Sequence, residues 1–119
     1  KFNVMGHLTL PLRYAKEDYG MKNLSFAPYR GEIADILETL IGKNLGIEIN
    51  TNRGGDPLPD EPWLCLYRDL GGEIITMGSD AHTPNYIGCA MEARQELLKA
   101  CGFRYFATFA EQKPIFHKL

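Results

Sequence analysis

Ile74-Ile75-Thr76-Met77-Gly78-Ser79-Asp80-Ala81-His82 is the stretch on which the reading of this chain turns. An apolar run, Ile74 to Met77, stops at Gly78-Ser79 and then presents Asp80 and His82 two residues apart. In an extended segment residues i and i+2 point to one side, so a carboxylate and an imidazole leave the mouth of a buried strand together. That pair suits a metal ion or acid–base chemistry. Asp-x-His is also short and common, and in a plain loop Asp80 caps a turn while His82 is solvated.

Upstream of this stretch, Glu61 to Asp69 reads as a helix with Pro62 in its first turn, where a missing N–H costs nothing. Trp63, Leu66, Tyr67 and Leu70 form its apolar face, Gly71-Gly72 ends it, and Glu73 to Met77 is the strand that follows. Downstream, Tyr86 to Cys101 reads as a helix buried along Ala90, Ala93, Leu97 and Ala100, with Leu98 and Cys101 flanking. Gly102 stops it, Phe103 to Phe109 is an aromatic-rich strand, and Glu111 to Leu119 is a polar tail.

Further out, Glu32 to Asn44 is a helix whose Ile33, Ile36, Leu37, Leu40 and Ile41 recur at three- and four-residue spacing. Gly46 sits where a helix stop belongs, Leu45 to Asn50 is a strand, and Thr51 to Pro57 is rich in turn formers. Phe2 to Met5 is a strand ending at Gly6-His7. Pro11 argues against a long helix in Leu8 to Tyr14, and Lys16 to Tyr29 reads as a loop with one helical turn at most. Short apolar runs alternating with helices predict an α/β architecture with about four parallel strands, an open arc of sheet in one structural unit.

The bulk numbers agree with one modest domain: 119 residues, 45% hydrophobic, formal charge −2. Cations are scattered among acids, so nothing suggests a nucleic-acid polyelectrolyte surface. No apolar run approaches a membrane span. Cys65, Cys89 and Cys101 are odd in number and lack Cys-x-x-Cys spacing, so neither a disulfide framework nor a zinc finger is expected, and a reducing cytoplasm fits best. The chain opens at Lys1 with a strand already under way and reads as a piece of a longer protein.

Ligands in α/β folds bind at the carboxyl ends of the strands. There the first strand delivers His7, the second delivers Glu48, Asn50 and Arg53, and the third delivers Asp80 and His82. Taken singly each has a plain reading: a satisfied buried histidine, a turn-forming asparagine, a surface cation. His117 lies in the tail without acidic neighbours and is left out. No Gly-x-Gly-x-x-Gly, Gly-x-x-x-x-Gly-Lys or Gly-x-Ser-x-Gly string is present. His7, Asp80 and His82 with Arg13 and Arg53 fit a divalent metal acting on an anionic substrate.

Phe2-Asn3-Val4-Met5-Gly6-His7-Leu8-Thr9, Arg13-Tyr14, Ile47-Glu48-Ile49-Asn50-Thr51 and Gly78-Ser79-Asp80-Ala81-His82 resemble the carboxy-terminal half of the polymerase-and-histidinol-phosphatase (PHP) superfamily, closest to its histidinol-phosphatase branch. The resemblance runs in order through nearly the whole chain. It implies the carboxy-terminal part of a distorted seven-stranded TIM-like (β/α) barrel, residues 1–119 being that half of a PHP domain. It implies two or three divalent metal ions (zinc, manganese or iron) at the strand ends, and hydrolysis of L-histidinol phosphate in histidine biosynthesis. His7, Asp80 and His82 match metal ligands, with Asp80 and His82 also in the catalytic role, while Arg13, Arg53 and Asn50 fall on the substrate side; Glu48, which does not match the bridging carboxylate, stands with Asn50 either behind the ligands or on the substrate side. The family's amino-terminal His-x-His, a further histidine and a bridging glutamate are not in this chain, and Asn3 stands where the branch often has Asp. The implied partners are a small phosphate ester and the missing half of the barrel, or a second copy in its place; neither nucleic acid nor membrane is implied. By itself the piece is expected to be inactive. The rival readings are a PHP phosphoesterase of the nuclease or polymerase-associated branch and a metal-free PHP-like binding module.

Overall fold

Strand β2 (Gly46–Asn50) runs through the middle of the molecule, flanked by β1 (Val4–Met5) and β3 (Ile75–Gly78). Both neighbours are parallel to it, with Met5 beside Ile47, and Ile75, Thr76, Met77 and Gly78 beside Ile47, Glu48, Ile49 and Asn50. The computed structural model describes residues 1–119. Helices α1 (Leu10–Tyr19), α2 (Arg30–Gly42), α3 (Glu61–Asp69) and α4 (Met91–Ala100) fill the connections, and β4 (Tyr105–Ala110) and β5 (Lys113–Lys118) close the chain. No helix is long and apolar enough to cross a membrane.

Alternation along β2 sorts the two faces of the sheet. Ile47, Ile49 and Ile75 are fully buried in one apolar cluster with Ile33, Leu37 and Leu40 of α2, Trp63, Leu64 and Tyr67 of α3, and Leu98 of α4. The opposite face carries Gly46, Glu48 and Asn50 of β2 beside Thr76 and Gly78 of β3, none of them in that cluster. Tyr67 runs through the core to donate its hydroxyl to the Ile74 carbonyl at 3.0 Å, and burial pushes its pKa up to about 12. Gly46 opens β2 because a Cβ there would overlap the Ile74 carbonyl and side chain; the helix stop expected at Gly46 falls earlier, at Lys43 and Asn44 (φ 55°).

Several expectations are corrected. Leu8–Tyr14 does not exclude a helix: Pro11 lies in the first turn of α1, where its ring and absent N–H cost nothing. The helix then runs into the segment expected to be loop, until left-handed Gly20 ends it and the Met21 N–H reaches back to Ala15 O at 2.9 Å. The helix expected from Tyr86 begins only at Met91, because Gly88 (φ 69°) and Ala90 (φ 58°) turn the chain out of helical geometry. Its buried residue is Leu98, whereas Ala93 and Ala100 are exposed. No fourth parallel strand forms. β4 pairs antiparallel with β5, Tyr105 opposite Lys118, and the supposed polar tail is the second arm of this hairpin. Glu111 and Gln112, both at positive φ, make the tight turn whose twist matches a hairpin.

The cysteines also depart from expectation. Cys65 of α3 and Cys101 at the end of α4 form a disulfide, their Cα atoms 4.8 Å apart and 36 residues apart in sequence, while Cys89 is free and lies ahead of α4. Spacing along the chain does not reveal such a pair, because packing of α3 and α4 creates it. Denatured without reductant, the chain should expose one reactive thiol, that of Cys89, and all three only after reduction; full thiol reactivity without reductant would eliminate the bond. Gly46→Ala should cost about 1–3 kcal/mol of stability in urea unfolding, the scale of overpacking a filled site, and an unchanged midpoint would show that β2 and β3 separate freely at Ile74.

Candidate functional site

All three parallel strands end in residues other than glycine that adopt left-handed backbone. His7 (φ 33°) follows β1, Asn52 (φ 50°) and Arg53 (φ 55°) follow β2, and Asp80 (φ 51°) follows β3. Side chains with a Cβ occupy this region at a cost, and such residues concentrate where function holds them. The sharp turns place the polar groups of separate strands together at the carboxyl edge of the sheet.

Asp80 is the hub of one cluster. Its Oδ2 accepts a hydrogen bond from Arg13 Nη1 at 3.0 Å, and its Oδ1 lies 3.1 Å from His82 Nε2. Arg13 comes from α1, and the same Nη1 donates to Asn52 Oδ1 at 3.1 Å. The Arg13 side chain is 9% exposed, Asp80 23% and His82 73%, so the ion pair is sheltered while the imidazole stands in solvent. The Arg13 hydrogen bond, helped by His82 and opposed by partial burial, holds Asp80 below the usual carboxylate range. Burial works against the Arg13 charge, but its bonds to Asp80 and Tyr14 outweigh that and keep it above the ordinary arginine value. Asp80 and His82 meet as the sequence suggests but by another route: the backbone at Asp80 is left-handed, so a turn and not a pleat brings them together.

Glu48 is the hub of a second cluster. Its Oε2 accepts the His7 backbone N–H at 3.1 Å and Asn50 Nδ2–H at 3.3 Å. Its Oε1 fills the space beside Gly78, where any Cβ would overlap it. Asn50 is 2% exposed, and its Oδ1 accepts the Asn52 N–H at 2.8 Å. Asn50, expected behind the ligands or on the substrate side, is enclosed, and its bonds hold the loop after β2, as an asparagine that mimics a backbone turn does. Arg53 turns toward α1, with Nη2 3.8 Å from Glu17 Oε1, and does not join Asp80 and His82. His117 lies away in the hairpin, 2.7 Å from Thr108 Oγ1 and stacked on Phe106. Asn52 is the member that sequence reasoning did not place in the site, while Glu48, expected behind the ligands or on the substrate side, is tied to it by these bonds. The signal for Glu48 was its flanking by Ile47 and Ile49, which aims it at the face opposite the helices.

Asp80 and His82 offer an oxygen and a nitrogen side by side, donor chemistry that zinc, manganese and iron accept. Yet no three histidine, cysteine, aspartate or glutamate side chains gather into a group able to hold a metal ion. His7 is thus not assembled with Asp80 and His82, and the chain presents only two adjacent candidate ligands.

Parallel strands backed by helices, with carboxylate, imidazole and guanidinium groups at the strand ends, define an α/β protein with a polar cluster where such folds bind ligands. Histidinol-phosphatases are homologues of this chain along nearly all of its length. It is 39% identical to a probable histidinol-phosphatase of Thermotoga maritima over 91% of the chain and 45% of that protein. It is 33% identical to a histidinol-phosphatase of Lactococcus lactis over 94% of the chain and 42% of that protein. The crystal structure of histidinol phosphate phosphatase from Lactococcus lactis, complexed with zinc, L-histidinol and phosphate, superposes with a TM-score of 0.74 at 29% identity, covering 97% of this chain and 44% of that one. The chain therefore spans less than half the length of the relatives it matches. No family model matches it.

The lowered Asp80 pKa has a consequence of definite sign. A carboxylate depressed on folding contributes stability that is complete above its unfolded pKa, about 3.9, and is lost as pH falls through the lower folded value. Arg13→Gln should move the Asp80 titration up toward the ordinary range in a carbon-13 NMR experiment and shift acid unfolding to higher pH. An unmoved titration would show that Arg13 does not hold this carboxylate.

Proposed function

We propose that this chain is the carboxy-terminal half of a histidinol-phosphatase, a metal-dependent phosphomonoesterase that converts L-histidinol phosphate to L-histidinol and phosphate. The observation that carries this reading is the superposition of 97% of the chain on a phosphatase holding zinc, L-histidinol and phosphate. The coverage of 45% and 42% of the curated relatives supports reading it as part of a longer enzyme. One-sided covering of the sheet supports the barrel: parallel strands are stable with both faces enclosed, and closing the sheet would turn the face of Glu48, Asn50 and Thr76 inward. β1, two residues long with one unpaired edge, is where the remaining strands would join. The partner is then the rest of the barrel, and a second copy takes its place when the half is alone.

His7, Asp80 and His82 would hold divalent metal (zinc, manganese or iron, two or three ions in the complete site), with the other ligands supplied by the remaining half. When bound, such metal supplies a Lewis acid and a water acidic enough to ionise near neutrality. The chain's own residues prepare the rest. Asp80 orients the His82 ring through the 3.1 Å contact, and Arg13 neutralises Asp80 from the sheltered side. Arg13 and Arg53, on α1 and on the loop after β2, are the cations that would meet the phosphate oxygens, where planar guanidinium forks match the anion.

The full-length protein should release inorganic phosphate from L-histidinol phosphate, and Asp80→Asn should lower kcat on the order of 100-fold or more, the scale of losing one charge-stabilising group. Residues 1–119 alone should show no turnover. Full-length protein that leaves L-histidinol phosphate intact while cleaving a nucleic-acid phosphodiester would place the chain in another branch, and wild-type rates in Asp80→Asn would remove the site.

A further inference from the structure

The two clusters at the strand ends are one continuous line of hydrogen bonds. The His7 N–H reaches Glu48 Oε2 at 3.1 Å, and Asn50 Nδ2 reaches the same oxygen at 3.3 Å. Asn50 Oδ1 then accepts the Asn52 N–H at 2.8 Å, and Asn52 Oδ1 accepts from Arg13 Nη1 at 3.1 Å. Arg13 Nη1 also donates to Asp80 Oδ2 at 3.0 Å, and Asp80 Oδ1 meets His82 Nε2 at 3.1 Å. The line begins at His7 after β1, crosses the mouth of β2 and ends at His82 after β3.

Glu48 is where this line is anchored to the sheet. It stands on the central strand in register with Thr76, and its carboxylate passes Gly78 of β3 on one side and Gly6, just beyond β1, on the other. A Cβ on Gly78 would overlap Oε1, and a Cβ on Gly6 would stand 3.4 Å from Oε2. No cation pairs with Glu48: the ion pairs of the chain all involve other carboxylates. A half-buried carboxylate without a counter-ion is costly to keep for packing alone; two N–H donors from the site itself satisfy it. One of them is the amide of His7, whose left-handed backbone needs an outside constraint to persist. The other belongs to Asn50, which passes the constraint on to Asn52, Arg13 and Asp80.

We propose that Glu48 is the positioning residue of this site. Its carboxylate sets the backbone of His7 at one end and, through Asn50 and Asn52, the placement of Arg13 and Asp80 at the other. It acts through these residues as a hydrogen-bond acceptor and touches no substrate. The inference rests on the phosphatase reading for its effect on turnover, but the placement of His7 does not depend on it.

The test uses the full-length protein with Glu48→Ala, Glu48→Asp and Glu48→Gln. Alanine removes the acceptor, aspartate keeps the charge but is one methylene short of the His7 amide, and glutamine keeps an acceptor oxygen without the charge. In Glu48→Ala and Glu48→Asp, kcat on L-histidinol phosphate and zinc retained after dialysis should fall about 10- to 100-fold, the usual effect of losing a partner that orients ligands. KM should move less than about threefold and the His7 amide should exchange at least about tenfold faster. Glu48→Gln should restore kcat, zinc and amide protection to within about fivefold of wild type, which a purely charge-based role would not allow. If Glu48→Ala does not fold, Glu48→Asp carries the same expectations. Wild-type kcat, zinc content and His7 protection in the aspartate variant would overturn the proposal, as would a rise in KM at unchanged kcat, which would make Glu48 a substrate contact. A wild-type protein inactive on L-histidinol phosphate, with His7 protection still dependent on Glu48, would sink the phosphatase reading and leave the positioning role standing.

Discussion

The alternation of Ile47, Glu48, Ile49 and Asn50 along one strand is the constraint from which the rest of the molecule follows. Ile47 and Ile49 are completely buried against the helices. A one-residue slip of β2 would turn both into the polar face and bring Glu48 and Asn50 into the core. Burying each isoleucine is worth about 1.5–3 kcal/mol, and enclosing an unpaired carboxylate costs more than that. The register with β1 and β3 is therefore fixed by burial, and the same register brings Glu48 between Gly6 and Gly78. Core and site are two faces of one strand.

The helices contribute unequally to these faces. α2 and α3 give the core its bulk, with Leu37 and Leu64 fully buried. α1 has Ala15 as its one buried residue and carries Arg13 to Asp80 and Asn52 and Glu17 to Arg53. A helix so lightly packed is held in place by its polar ends, so the site and the position of α1 support each other. The disulfide between Cys65 and Cys101 joins α3 to the end of α4, with Cys101 in the apolar core cluster.

Relatives with the same architecture are more than twice as long as this chain. The gathering of site residues fits that fact. Asp80 and His82 meet fully, His7 is held nearby only through its backbone, and no complete metal-ligand group assembles. Three parallel strands bring together only what their own ends carry.

Much was legible in the sequence, for reasons that are local. The α2 stripe and the α3 boundaries follow from periodicity and capping residues, which act within a few positions. Asp80 and His82 were legible because two residues in one turn meet whatever the rest of the fold does. The hairpin, the disulfide and the true start of α4 were not, since each rests on a partner far along the chain or on a left-handed residue that composition does not mark. The enclosure of Asn50 was hidden for the same reason: a polar residue at a strand end looks available until its neighbours are placed around it. By itself the sequence determined which strands exist and which side chains stand at their ends, because burial period and turn chemistry are properties of short segments. Only the tertiary structure decided that Glu48 links His7 to the Arg13–Asp80 pair, because that link is made across three strands and a helix whose separations in sequence carry no trace of their distances in space.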